Sequence, residues 1–308
     1  MSGLDVATVG ELTIDDVVIE DVGVDWKQPG GGALYSATGA LLWSREVGVA
    51  ASVGADYPES LLKQIAATGL DVAAVSRTPG LTSIGLWLLH ETTGRRRQLE
   101  KACGGTMREL DTARPPLPER VRSARGIHLA PQSSEGHRRA LAELRDGGAV
   151  KTLDLLVEPF MDVRGYIDGS DLAGADAFLP SEQEVVDLWG HDDLRRLGQD
   201  LRSRGLEPLL VIKRGPAGVD VLDSGAVVRV PSVPVDVVDP TGAGDAFCGG
   251  FLAQFLRARD PVAAAVAGCV SASFVCETRG ALAASERLDP ELALVRSAAV
   301  RQGLRRIR

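Results

Sequence analysis

The segment Asp239-Pro-Thr-Gly-Ala-Gly-Asp-Ala-Phe-Cys-Gly-Gly-Phe-Leu252 places a Gly-rich turn directly before an apolar helix. Gly242, Ala243 and Gly244 carry no bulky side chain, so their backbone N–H groups can close on an anion. A helix N-terminus favours that anion through its unpaired donors and its dipole. Asp245, in the same turn, is a poor ground-state partner for a phosphate. Its chemistry fits a general base that takes a proton from an attacking hydroxyl. An aspartate there is also a favoured N-cap, which is the commoner role in an arbitrary Gly-Asp turn.

Such a turn has to be carried by a scaffold. Short apolar runs at Val6–Gly10, Val47–Val53, Gly126–Leu129, Thr152–Val157, Ala177–Leu179 and Leu209–Lys213 read as buried strands. Between them, Leu34–Trp43, Pro58–Thr68, Gly136–Asp146, Glu182–Leu188, Asp192–Arg204 and Ala246–Arg259 have helical apolar spacing. That alternation predicts a doubly wound α/β sandwich. Asp16–Asp25 and Thr82–Ala102 break it, each reading as extended chain at period two, the second with a Thr-Thr-Gly turn. Residues 16–25 and 82–102 are therefore expected to form a small β-sheet lid that excludes water from a cleft. Residues 1–15, 26–81 and 103–308 form the core.

The 308 residues are 44% hydrophobic and 25% charged, enough for a large core. A net charge of −8 gives no general attraction to nucleic acid or anionic membrane and favours a small-molecule partner. Cys103, Cys248, Cys269 and Cys276 form no CxxC pair, and His90, His128, His137 and His191 lack metal spacing. No signal-peptide pattern opens the sequence, and the Ala-rich Val262–Cys276 is too short to span a bilayer. A cytoplasmic protein with reduced thiols is expected. Arg95–Arg97 beside the lid hairpin reads as a solvated charge run.

The motif DPTGAGDAFCGGFL resembles the C-terminal signature of the ribokinase-like (PfkB-type) carbohydrate and nucleoside kinases. The resemblance implies an ATP-dependent kinase of α/β/α architecture with a β-sheet lid. Asp245 is then the base, the Gly242, Ala243 and Gly244 amides hold the transferring phosphoryl group, and Asp239 and Thr241 border a monovalent-cation (K⁺) loop. Gly31, Gly32 and Tyr35, in GGGALYSA, are similar to the di-glycine acceptor motif, with Tyr35 where many sugar kinases have Asn. Asp15 resembles the residue that binds acceptor hydroxyls. Val53-Gly54-Ala55-Asp56 resembles a further family turn. Ser181 and Glu184 resemble the Asn-x-x-Glu element that organises Mg²⁺, with Ser for Asn; unaided, Ser181 and Glu184 read as a capping box. Lys213, Gly215 and Gly218 resemble the strand and turn under the nucleotide, although Gly-Pro marks turns generally.

A dinucleotide-dependent dehydrogenase lacks support, because no GxGxxG follows the first strand, and no Walker-A motif occurs. A catalytically impaired ligand-binding or regulatory protein of the same fold is the alternative, suggested by Tyr35 and Ser181. The retained Asp245 and signature glycines favour the kinase. A sugar, polyol or nucleoside is the expected acceptor, and an exposed lid edge can pair with its copy in a homodimer.

Overall fold

The computed structural model describes residues 3–91, 96–102, 104–157 and 161–307. The chain starts with β1 (Val6–Val9), β2 (Thr13–Ile19), β3 (Gly23–Gly30), α1 (Gly32–Leu41), β4 (Val47–Gly54), α2 (Glu59–Ala67) and β5 (Asp71–Thr78). It continues through β6 (Ile84–His90), β7 (Arg96–Glu100), α3 (Met107–Ala113), α4 (Glu119–Arg122), β8 (Gly126–Leu129), α5 (Ser134–Glu143), β9 (Val150–Leu153) and α6 (Arg164–Asp168). Next come β10 (Ala177–Phe178), α7 (Glu182–Trp189), α8 (Leu194–Arg202), β11 (Leu209–Lys213), β12 (Val219–Asp223) and β13 (Ala226–Val230). The C-terminal part holds α9 (Ala243–Ala258), α10 (Pro261–Cys276), α11 (Ala281–Glu286), α12 (Pro290–Gln302) and β14 (Arg305–Ile307).

Ten described strands form one sheet in the order β14-β13-β12-β11-β10-β9-β8-β1-β4-β5, parallel from β11 to β5 and antiparallel from β11 to β14. Side chains alternate between its faces at period two. Ala7, Val9, Ile127 and Leu129 pack with Leu141, Leu188 and Leu197 of α5, α7 and α8. Val6, Val49 and Val53 pack instead with Leu34, Leu61 and Leu252 of α1, α2 and α9. The order reverses at β1 and β8, so their carboxyl ends open a crevice at the switch point, where open α/β sheets bind ligands. No described helix is long and apolar enough to cross a membrane; α10 is buried in the core.

A separate small sheet has the order β3-β2-β6-β7. Its first part departs from the single extended segment expected at Asp16–Asp25: two antiparallel strands span Thr13–Gly30, turning through Asp21 at φ 60°. Thr13–Asp15 and Trp26–Gly30, expected in the core, thus lie in this sheet. The Thr-Thr-Gly turn, Arg95 and Cys103 fall outside the described residues, and Arg97 pairs with Glu91 at 2.9 Å. Asp56 ties the two sheets together, its Oδ1 accepting from Ser83 N and Oγ at 2.7 and 2.9 Å.

Candidate active site

Asp245 stands in the first turn of α9, after Gly242, which caps the helix at φ 74°. This left-handed geometry suits glycine. A Cβ on Gly242 would also lie 2.2 Å from the Tyr35 ring. Tyr35 is 5% exposed, so it supports this turn from below and has little surface to offer an acceptor, contrary to the contact expected from the sequence.

Gly32 faces Asp245: a Cβ there would sit 2.9 Å from its Oδ1. Gly31, at φ 103°, lies against the Glu11 carbonyl, where a Cβ would come to 2.3 Å. Gly30 gives the Asp15 carboxylate its room, with a would-be Cβ 1.9 Å from Oδ2. Asp15 is 4% exposed, and its Oδ1 has no hydrogen-bond partner among the described residues. Burial pushes its carboxyl up to about 7. Beside it, across a bulge in β2, Asp16 binds Lys101 at 2.7 Å and accepts from Lys27 N at 2.8 Å.

Behind the α9 N-terminus lies a charge cluster that motif reading missed in part. Lys213, at the end of β11, forms a buried ion pair with Asp154, just past β9. Its Nζ is 3.5 Å from where a Gly244 Cβ would be, and 3.8 Å from Cys248 Sγ. Burial opposes the ammonium, but Asp154, Glu184 and Asp245 outweigh it and hold Lys213 charged. Glu184 is pushed up to about 7 by burial and by Asp154. The acid inside the apolar run Thr152–Val157 was the available signal for Asp154.

Ser181 and Glu184 do form the capping box: Ser181 N donates to Glu184 Oε2 at 2.6 Å, and Ser181 Oγ accepts from Glu184 N at 3.3 Å. Asp239 Oδ1 accepts from Thr241 N and Oγ1 at 2.9 and 2.6 Å, and its Oδ2 lies 3.8 Å from His90 of the small sheet. Glu184, Ser181 and Asp239, the expected metal residues, thus each also fix a local turn. No cluster of three or more acidic, imidazole or thiol groups spaced for a metal occurs among the described residues.

Gly215 (φ 54°) and Gly218 (φ 88°) turn the chain at one wall of an apolar cleft of about 550 Å³. Lys213, Gly244, Val233, Val235, Phe247 and Ala272 line it. An apolar cleft ending at a helix N-terminus can seat a flat ring and present an anionic tail to the unpaired amides of that terminus, with the Asp245 carboxylate beside it.

The sequence profile of the pfkB family carbohydrate kinases matches residues 5–287. The chain belongs to this family. Over 264 residues it is 32% identical to a cytidine kinase of Thermococcus kodakarensis, covering 83% of this chain and 90% of that one. Its fold is similar to a putative ribokinase II from E. coli in complex with ATP and Mg²⁺ (TM-score 0.74, 20% identity, 95% of this chain and 99% of that one). It is also similar to the Burkholderia thailandensis nucleoside kinase in complex with ADP-inosine (TM-score 0.77, 17% identity, 96% and 95%). As a PfkB-family member the chain is an ATP-dependent sugar or nucleoside kinase with the ribokinase-like architecture.

Proposed function

We propose that this kinase moves the γ-phosphate of ATP to a hydroxyl of a nucleoside, with Asp245 as the base. The observation that carries this is the position of Asp245, with Gly32 on its acceptor side and the first amides of α9 beside it. Its carboxylate takes the hydroxyl proton as that oxygen attacks phosphorus. The Gly242, Ala243 and Gly244 amides and the helix dipole take up charge on the phosphoryl oxygens, and Lys213 adds a fixed positive charge behind them. The apolar cleft suits adenine, and Gly215 and Gly218 let the backbone come close. Asp15 and the backbone of Gly31 and Gly32 receive vicinal ribose hydroxyls, while the small sheet covers them. The cytidine kinase relative favours a nucleoside over a free sugar.

Magnesium would find hard carboxylate oxygens within electrostatic reach of Lys213, in Asp154, Glu184 and Asp245, but these are not gathered at ligand spacing, so the ion would keep most of its water. Glu184, and Asp154 through water, would hold it, and when bound it neutralises charge on the β- and γ-phosphates. A K⁺ ion beside Asp239 and Thr241 is supported by family resemblance alone. The free edge β3, with Trp26 59% exposed, supports a homodimer through the small sheet. The unpaired thiols of Cys248, Cys269 and Cys276 are consistent with a cytoplasmic location.

The test is ADP release over a panel of nucleosides and sugars with wild type and Asp245→Asn. Turnover on the best acceptor should fall by roughly 10²–10⁴ while ATP affinity holds. Wild-type turnover in the variant refutes the assignment.

A further inference from the structure

The chain leaves β8, at the switch point of the large sheet, through Ala130-Pro131-Gln132-Ser133 and enters α5. The point that a Gly32 Cβ would occupy lies 2.9 Å from Asp245 Oδ1, 3.0 Å from Pro131 Cδ and 3.6 Å from Ala130 Cβ. Asp245 and the Ala130-Pro131 peptide thus flank Gly32 together. Pro131 is partly exposed there, while Ala130 is enclosed. The Ala130 N–H donates to the Val9 carbonyl of β1 at 2.9 Å, and a Cβ on Gly10 would come 2.9 Å from Ala130 Cβ.

Two buried side chains hold this connection from behind. Asp111 of α3 accepts from Ser133 N and Oγ at 2.8 and 2.7 Å. His137 of α5 places Nε2 3.1 Å from the Ala130 carbonyl and Nδ1 2.6 Å from the Tyr166 hydroxyl of α6. A carbonyl only accepts, so Nε2 carries the proton and Nδ1 accepts from the Tyr166 O–H. Both side chains are fully buried, and burial pushes the His137 imidazole down to about 4, which keeps it neutral. Tyr166, His137 and the Ala130 carbonyl therefore form one chain of hydrogen bonds that ends beside Gly32. An apolar side chain would fill the same space without burying polar groups. What the imidazole adds is direction: it fixes where the Ala130 carbonyl points, and so where Pro131 stands relative to Asp245.

We infer that His137, oriented by Tyr166, is a positioning residue for phosphoryl transfer: by donating to the Ala130 carbonyl it holds the Ala130-Pro131 peptide as a wall of the acceptor site beside Gly32 and Asp245. Being fully buried, neither side chain touches the acceptor. This rests on the reading of Asp245 as the base, so Asp245→Asn is measured alongside.

Wild type, His137→Leu, His137→Gln, Tyr166→Phe and the double variant His137→Leu with Tyr166→Phe are compared by kcat/KM for the better of cytidine and ribose, KM for ATP and melting temperature. A reacting group misplaced by about 1 Å costs up to about 10²-fold, so His137→Leu should lower acceptor kcat/KM ~10- to 100-fold and leave KM for ATP within ~2-fold. The glutamine amide can donate in place of Nε2, so His137→Gln should return to within ~5-fold of wild type. Adding Tyr166→Phe to His137→Leu removes a stranded hydroxyl and should raise the melting temperature, while acceptor kcat/KM stays low. A purely structural pair predicts instead that rate recovers with stability. That result, an acceptor kcat/KM in His137→Leu within ~3-fold of wild type, or an equal loss in KM for ATP overturns the inference. If His137→Leu does not fold, Tyr166→Phe decides: it frees the imidazole to turn and should lower acceptor kcat/KM ~3- to 10-fold, and an unchanged value overturns the inference. Unchanged turnover in Asp245→Asn with the His137 losses intact sinks the base reading and leaves the wall standing. Loss in Asp245→Asn without the His137 losses does the reverse, and a wild type that phosphorylates neither acceptor refutes both.

Discussion

Asp154→Asn, Lys213→Met and the double variant test whether the ion pair behind α9 is a unit. The Asp154 side chain is 3% exposed and that of Lys213 11%, so neither charge can be resolvated without disrupting the core. Removing one partner of a buried pair typically costs about 3–5 kcal/mol, while replacing both by uncharged groups of similar size is close to neutral. Asp154→Asn should lie near ~3 kcal/mol, because Glu184 and Asp245 remain within electrostatic reach of the ammonium. Lys213→Met should cost less, about 2 kcal/mol, because burial already raises Asp154 and the stranded acid can take up a proton. Independent sites would give roughly 5 kcal/mol in the double variant; a unit gives about 2, the cost of a buried Asn amide left without a partner, and so a coupling near 3. Urea unfolding followed by tryptophan fluorescence measures all four proteins, and equal m-values license the comparison. A coupling below ~0.5 kcal/mol would refute the pairing.

Glu184→Gln keeps a capping box, so stability should change little, while the magnesium needed for half-maximal rate rises; an unchanged magnesium titration leaves Glu184 with its capping role alone. Asp15 has its folded pKa raised by burial to about 7, so the native state holds a proton that the unfolded chain releases near pH 4. Its stabilising effect is full below pH ~4 and is lost as pH rises to ~7, so the stability of Asp15→Asn relative to wild type should grow across that window. Denaturation midpoints between pH 4 and 8 check this, and a constant difference would contradict the raised pKa. Gly249→Ala would put a Cβ 1.7 Å from the Ser36 carbonyl, so it should cost at least 1–3 kcal/mol and lower kcat by moving Asp245 relative to Gly32. Melting temperature and kcat equal to wild type would show that α1 and α9 tolerate separation.

Much of this arrangement is readable where the signal is local. The Gly-rich turn, the strands Gly126–Leu129 and Leu209–Lys213, and the Ser181–Glu184 capping box are each encoded by neighbouring residues. β5 carries little signal in the sequence because its residues are mostly half-exposed and lack clean alternation. The turn at Asp21 is not announced in DVVIEDVGVD, because Glu20-Asp21 also reads as polar positions of an extended segment and Gly23 is the lone glycine. Distant partners are harder still. Asp154 and Lys213 are 59 positions apart, and neither residue type announces the other. Tyr35 was read as facing the acceptor because its neighbours belong to a glycine motif, but its ring is placed by Gly242, on a different element.

The glycines inside the helices carry the least obvious part of the design. Each weakens an isolated helix by about 1 kcal/mol relative to alanine, so their presence in α1 and α9 needs a compensating contact. That contact is close helix packing: a Cβ on Gly39 would come 2.0 Å from the Ala246 backbone carbonyl, and one on Gly250 2.2 Å from the side-chain Oγ of Ser271. Ser271 Oγ in turn donates to the Gly39 carbonyl at 2.8 Å and accepts from Trp43 Nε1 at 2.8 Å, locking α10 to the far end of α1. Held this closely, α1 and α9 begin side by side, so Gly32 and Asp245 meet at their first turns. The GlyGly pair at 249 and 250 therefore belongs to the signature for a mechanical reason. It sets the distance between Gly32 and Asp245, on which the proposed transfer depends.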